Sequence, residues 1–342
     1  MSLRCGLACL ALASFGGTAC LPADTRTPPA SIFLMVTSAD DPLVTTADGW
    51  SIVVDRLILG IGGAGLLDPP PPFNYLSCNT YSEARYGRLL DARLPIDQKL
   101  GILFGLGQCT FSFVIMSPFN DTLLGENVTQ ADKDLMAGSG SQFGDPRQRT
   151  QGVAIDFAAT ATRGPETKQV RWRLRQGAGM SCARTVAGMT AEPIELASEA
   201  SLAFHIGIRG AALFADDASP NASLRFDSIA SADTVYGNGD GEITLDEVGK
   251  VTLNVARQHG PYNAATVPGV PVGPGIPGSV TLEDYINREL LATMVRVRED
   301  VTCTDGFGPT HDPRGASVRD ASMTDTSADE GEASVDEGGP EE

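Results

Sequence analysis

The sequence predicts an α+β chain: an antiparallel β-sandwich or barrel-like domain over residues 31–215, a helical region over 216–304 and a disordered acidic tail over 305–342. Three observations carry this. Short runs between Ser31 and Arg209 alternate apolar and polar residues, the period of two that a half-buried strand requires, and Gly, Pro and Asn punctuate them. After Asp216 the pattern changes to threonine-led amphipathic runs of helical period. From Asp320 to Glu342 nine carboxylates occur without a Lys or Arg, among Ser, Ala, Gly and Thr, a composition that cannot bury a core.

The strand candidates are Ser31–Thr37, Trp50–Leu59, Gly87–Leu94, Gly101–Leu106, Thr110–Met116, Val153–Thr160, Lys168–Arg175 and Ser201–Arg209. In two of them the alternation assigns faces. Val170, Trp172 and Leu174 point one way and Arg171, Arg173 and Arg175 the other, while Leu202, Phe204, Ile206 and Ile208 repeat the pattern. One helix, near Gln130–Ala137, interrupts the strands. Two amphipathic helices follow the sheet. Thr244-Leu-Asp-Glu247 forms a capping box ahead of Leu245, Val248, Thr252 and Val255, and Thr281-Leu-Glu-Asp284 opens a second helix carrying Leu282, Tyr285, Ile286, Leu290, Met294 and Val297. Pro268–Gly278 between them is a Pro and Gly loop that cannot be helical. With 42% apolar residues among 342, there is ample material for a core.

The chain begins MSLRCGLACLALASFGGTAC: a positive charge at Arg4, an apolar stretch from Leu7 to Phe15, then small residues up to Cys20. This is the arrangement of a secretory signal over residues 1–19, too short to span a bilayer as a helix. Gly17-Thr18-Ala19-Cys20 resembles the lipobox of bacterial lipoproteins, although that family usually carries Leu where Gly17 stands. The resemblance implies lipidation at Cys20, a Pro, Thr and Asp rich tether over 20–30, and a partner in the membrane of the bacterial cell envelope, the outer membrane first. Cleavage without lipidation would instead leave a secreted protein with a leftover Cys20 thiol. No later apolar run is long enough for a transmembrane helix.

Four cysteines remain in the body: Cys78, Cys109, Cys182 and Cys303. An even number in an exported chain suggests two disulfides, and of the three possible pairings sequence proximity favours Cys78 with Cys109 and Cys182 with Cys303. No pair has the Cys-x-x-Cys spacing of a zinc or redox site.

A net charge of −18 argues against nucleic acid as a partner. Against this acidic background Arg163, Lys168, Arg171, Arg173, Arg175 and Arg184 make a basic island. It would either seat an anionic ligand or protein partner on the β-domain, or pair with carboxylates such as Asp156 on a neighbouring strand.

The clearest chemical signal is Asp233-Thr-Val-Tyr-Gly-Asn-Gly-Asp-Gly-Glu-Ile-Thr-Leu-Asp-Glu247. It resembles the EF-hand calcium loop, which needs oxygen ligands at its first, third, fifth, seventh, ninth and twelfth positions and glycine at its sixth. With Gly241 sixth, the resemblance implies ligands from Asn238, Asp240, the carbonyl of Glu242, Thr244 and Glu247. The first position holds Tyr236 where the family has Asp; Asp233, one turn upstream, is the substitute carboxylate, reached through Gly237 and Gly239. So few carboxylates imply weak Ca2+ binding at one site, roughly 10⁻⁴ to 10⁻³ M, suited to a structural ion. The motif is echoed thirty-seven residues later, from Gly241 to Gly278, in Gly278-Ser-Val-Thr-Leu-Glu-Asp-Tyr285, where the first, third and fifth positions would be Gly273, Gly275 and Pro277. This second hand would bind no metal and pair Val280 with Ile243.

Other signals are weaker. Gly60-Ile-Gly-Gly-Ala-Gly65 has the letters of a dinucleotide fingerprint, but Asp68-Pro-Pro-Pro-Pro72 follows where a helix should open, so a glycine-rich turn is expected. His205, His259 and His311 are scattered, and Gly138–Gly144 lacks the nucleophile-elbow spacing. The reading is a calcium-binding, lipid-anchored binding or structural module and not an enzyme. The alternatives are an extracellular hydrolase whose catalytic groups the spacing does not reveal, and an assembly lipoprotein without calcium.

Overall fold

In a computed structural model the described residues are 27–305, apart from 42, 70–76, 81–86, 139–151, 176, 185–191, 220, 261, 263–279 and 298–300. The signal, Cys20, most of the tether, the Pro268–Gly278 loop, most of Gly138–Gly144, His311 and the acidic tail lie outside them.

The chain is mostly one large mixed β-sheet with few helices. Its strands are β1 (Ala30–Ser38), β2 (Val44–Thr45), β3 (Ser51–Leu67), β4 (Cys78–Thr80), β5 (Arg88–Asp91), β6 (Gln98–Ile115), β7 (Leu123–Leu124), β8 (Ile155–Arg163), β9 (Glu166–Leu174), β10 (Ala178–Arg184), β11 (Ile194–Leu196), β12 (Ser201–Ile208), β13 (Glu242–Thr244), β14 (Val295–Val297) and β15 (Val301–Asp305). The main path runs β13-β9-β8-β3-β6-β1-β12-β14 and does not close on itself. Its two longest members change partners along their length. β3 lies against β8 over Ser51–Leu59 and against β6 over Ile61–Leu67; β6 lies against β1 over Gln98–Gly105 and against β3 and β10 nearer its end. The sheet is not purely antiparallel, because β1 runs parallel to β12, β9 to β13 and β5 to β7.

Glycine explains two departures from the expected strands. Gly60–Gly65 is not a turn: β3 continues through it, and a Cβ on Gly60 would collide with the carbonyl of Met116 on the neighbouring chain segment. The register slips between Gly62 and Gly65, where Gly63 has φ +60° and makes a bulge. The segments expected over Gly101–Leu106 and Thr110–Met116 are likewise one strand, β6, with Gly107 at φ +87° in its interior.

The helices are short. α1 (Gln130–Met136) has a Thr129 capping box with Asp132 and is tied to the sheet by Arg56, which bridges Asp132 at 2.6 Å and Asp156 on β8 at 2.5 Å. Besides α2 (Asp227–Val235), the first expected amphipathic helix is broken into the single turns α3 (Leu245–Val248) and α4 (Leu253–Ala256), while the second forms as α5 (Leu282–Tyr285), which continues through a π-helical stretch Ile286–Leu290 into α6 (Leu291–Thr293). Gly249 and the Thr252 cap divide the first expected helix. The second ends at Thr293 because Val295–Val297 pairs with β12 as β14.

The C-terminal region is sewn into the sheet, supplying β13, β14 and β15. One apolar core takes in β-strand residues such as Ile32, Ile61, Phe113 and Leu174 together with Ile229, Ile243, Val248, Leu253, Leu282 and Ile286. At its heart Trp50, Phe157, Trp172, Phe214 and Phe226 form a chain of ring contacts with centroids 5.0 to 5.8 Å apart. Such pairs add to what apolar burial alone contributes. Cys78 and Cys109 are disulfide-bonded, closing a loop with a sequence separation of 31. Cys182 is also disulfide-bonded, and the β10–β15 register sets it opposite Cys303.

Candidate metal centre

The loop that follows α2 is held at its entrance by the sheet. Asp48, in the turn between β2 and β3, accepts hydrogen bonds from the backbone N–H of both Phe226 and Asp227 at 2.7 Å, capping α2 from outside its own segment. Asp227 in turn accepts from Trp50 Nε1 at 2.9 Å and from Arg163 at 2.6 Å, and the Arg163 guanidinium stacks 4.4 Å over the Trp50 ring. Arg163, although exposed, is thereby tied to Trp50 and Asp227 at the entrance of α2.

α2 ends where its carbonyls run out of regular partners. Tyr236 N–H and Gly237 N–H both bond to the Ala232 carbonyl, at 3.0 and 2.9 Å, and Gly239 N–H bonds to the Asp233 carbonyl at 3.1 Å. Tyr236 is thus the helix C-cap, with its ring packed against the core and its carbonyl accepting from Lys250 Nζ at 3.1 Å. That geometry takes its side chain out of the ligand set. Beyond it the chain turns through Gly239 and Gly241, at φ +72° and +89°, a region only glycine enters at low cost.

Asn238 and Asp240 face each other in this turn. Asn238 Nδ2 donates to Asp240 Oδ2 at 2.8 Å, and Asp240 Oδ1 accepts from the N–H of Glu242 at 2.8 Å. These two hydrogen bonds hold the Asp240 carboxyl below the usual carboxylate range. Thr244 and Glu247 make the expected reciprocal capping box: Thr244 N–H donates to Glu247 Oε2 at 2.8 Å and Glu247 N–H to Thr244 Oγ1 at 3.4 Å. Glu247 is buried and lies along the inside of the loop. A Cβ on Gly237 would strike both its carboxylate and the Asp233 carbonyl, so these two oxygen-bearing groups converge on Gly237.

Asp233 enters the loop from the helix. Its Oδ2 accepts from Gly241 N–H at 3.1 Å, across eight residues, and the side chain is fully buried. The same oxygen is 2.6 Å from Lys168 Nζ, which reaches in from β9 and is itself buried. The other oxygen, Oδ1, is buried and has no protein partner. Lys168 arrives there by strand register, because β13 runs parallel to β9 with Glu242 beside Gln169 and Ile243 beside Val170.

This pairing replaces the expected ladder between the two hands. Ile243 pairs with Val170 and not with Val280, since β9 offers a full strand edge. The second motif docks instead on the segment after α3: Thr252 and Thr281 form a bridge, Leu253 N–H donates to the Val280 carbonyl at 3.0 Å, and Leu282 N–H donates to the Val251 carbonyl at 2.7 Å. Thr281 keeps its capping box with Asp284.

The remaining arginines of the basic island whose side chains are described, Arg171, Arg173 and Arg175, are exposed. Arg173 stands 3.9 Å from Asp156 and Arg171 4.0 Å from Glu242, both at exposed positions, and the Arg184 side chain is not among those described. His205 Nδ1 is 3.2 Å from Asp97. A cleft of 670 Å³ beside α4 is lined by Asp216, Arg225, Arg257 and Tyr262; in it Arg225 bonds Asp216 at 2.7 Å and Arg257 donates to the Tyr262 carbonyl at 3.0 Å.

Among the described residues no three His, Cys, Asp or Glu side chains stand together as a metal cluster, and no helix is long and apolar enough to cross a membrane. The oxygens of the loop are turned instead toward Lys168, backbone N–H groups and the Asn238 amide. The loop nevertheless fits a hard cation in the chemistry of its donors: a buried Asp233 carboxylate oxygen without a partner, the buried Glu247 carboxylate, which meets the Asp233 backbone carbonyl at Gly237, and Asn, Asp and Thr oxygens around a turn of two left-handed glycines. The chain matches no protein-family model, no curated protein and no solved structure.

Proposed function

We propose that this is an exported, lipid-anchored protein of the bacterial cell envelope, a binding or structural module in which the loop Asp233–Glu247 holds one weakly bound, structural calcium ion. Asn238, Asp240, the Glu242 carbonyl, Thr244 and Glu247 are its ligands, with Asp233 in place of the missing first carboxylate. The same reading takes the sheet as a sandwich-like body and residues 216–304 as two hands, the second without metal. Export and anchoring rest on the signal pattern and Cys20. The observation that carries the calcium reading is the position of Asp233: its carboxylate accepts from Gly241 N–H and keeps one buried oxygen without a protein partner.

Buried oxygen without a partner carries a desolvation cost that a bound cation removes. The test is calorimetric titration of the chain with calcium. Saturable one-site heat is expected with a dissociation constant of roughly 10⁻⁴ to 10⁻³ M, lost in Asp240→Ala and Glu247→Ala. Absence of heat at 10 mM calcium, or heat that survives both substitutions, would remove the calcium assignment.

A further inference from the structure

Lys168 is the one feature of the loop that the motif itself does not contain. Its ammonium lies 2.6 Å from Asp233 Oδ2, and both side chains are almost wholly buried, at 8% and 0% exposure. The strand alternation makes this placement unavoidable: Lys168, Val170, Trp172 and Leu174 all lie on the inward face of β9 while the arginines between them point out. A buried ammonium beside a buried carboxylate supplies the positive charge that a metal ion would otherwise supply there.

From this geometry we infer that Lys168 is a built-in competitor for the cation, a residue that fills the charge requirement of Asp233 and thereby sets how weakly the loop binds calcium. The inference rests on the calcium reading of the loop and adds a specificity-determining residue to it. A second, independent contact places Lys168 in the loop and not merely near it. The Gln169 N–H donates to the Gly241 carbonyl at 2.7 Å, so the Lys168 backbone is bonded next door to the turn.

An ion entering the site must either displace the ammonium from Asp233 or bind with a unit positive charge a few ångströms away. Both weaken divalent binding, because repulsion between like charges acts strongly where water is excluded. Removing the charge releases the Asp233 carboxylate to the ion, and ligand charge count is what tunes affinity in such loops.

The experiment is calcium titration of the full chain by calorimetry for wild type, Lys168→Met and Lys168→Gln, with thermal melts in chelator and in calcium as a second readout. Methionine keeps the length and apolar stem without charge; glutamine keeps a donor toward Asp233, and decides the matter if the methionine variant does not fold without calcium. Both are expected to bind calcium at least roughly tenfold more tightly than wild type. Both should melt earlier in chelator and gain more from calcium. Wild-type binding with unchanged or weaker affinity in the variants overturns the role of Lys168 and leaves the calcium reading in place. Binding by the variants alone upholds the role of Lys168 and shows that the lysine has displaced the ion in the natural chain. Absence of binding in all three overturns both.

Discussion

Asp233→Ala is expected to destabilise the protein by about 3–5 kcal/mol, more than any other single change in the loop. The reason lies in what the substitution leaves behind. Lys168 is held on the inward face of β9 with its ammonium on Asp233 and next to no solvent contact, so removing the carboxylate strands a buried positive charge. Gly241 N–H loses its acceptor at the same time, which loosens the turn. The value is measured by denaturant unfolding, in chelator so that no ion contributes. Lys168→Met added to Asp233→Ala should recover most of the loss, because the pair is removed together. A cost below about 1 kcal/mol would mean that the pair is solvated and worth no more than a surface ion pair.

Trp172→Ala is expected to cost a similar amount, about 3–5 kcal/mol, through the cavity it leaves. Trp172 is 1% exposed and touches Phe157 and Phe214 with ring centroids 5.8 Å away in each case. Phe214 in turn contacts Phe226, the residue immediately before α2. The cavity therefore opens between the sheet and the segment that carries the loop. Unfolding monitored by far-ultraviolet circular dichroism and by the fluorescence of the remaining Trp50 should shift together. If the fluorescence of Trp50, which contacts Phe226, shifted while the sheet signal did not, the shared core would be wrong.

Much of this could be read from the chain. The alternation in Lys168–Arg175 assigned faces correctly because a half-buried strand has no freedom in the matter, and the Thr244 and Thr281 capping boxes formed because each is a local exchange of hydrogen bonds within four residues. The same alternation already puts Lys168 on the buried face. Grouping it with the arginines by charge obscured that, and a carboxylate one helical turn before the loop was the partner to look for. α2 left little trace, since Ser, Ala, Asp and Thr dominate it and its cap, Asp48, lies far away in the sequence. The partner of β13 was out of reach for a related reason. Ile243 is apolar whether it pairs with Val280 or Val170, and only the tertiary arrangement decides. Gly60–Gly65 misled because glycine marks both turns and places where backbones crowd, and here a neighbouring carbonyl occupies the space of a side chain.

The separation into a sheet domain and a helical region, natural from the change of pattern at Asp216, predicts that chelation would loosen only the second part. The structure gives a different expectation. β13, β14 and β15 complete the sheet, and the core is continuous from Ile32 to Met294. An ion in the loop would thus be linked to the stability of the entire body.

That linkage is the central claim, and thermal unfolding with and without calcium tests it most directly. With 10 mM calcium and a dissociation constant of roughly 10⁻⁴ to 10⁻³ M, binding adds about 1.4–2.7 kcal/mol, which raises the melting temperature of a body of this size by about 3–5 °C. The account predicts a single transition that moves as a whole by that amount in wild type and does not move in Asp240→Ala. A calcium-independent melting temperature in wild type, or two transitions of which only one responds, would contradict it.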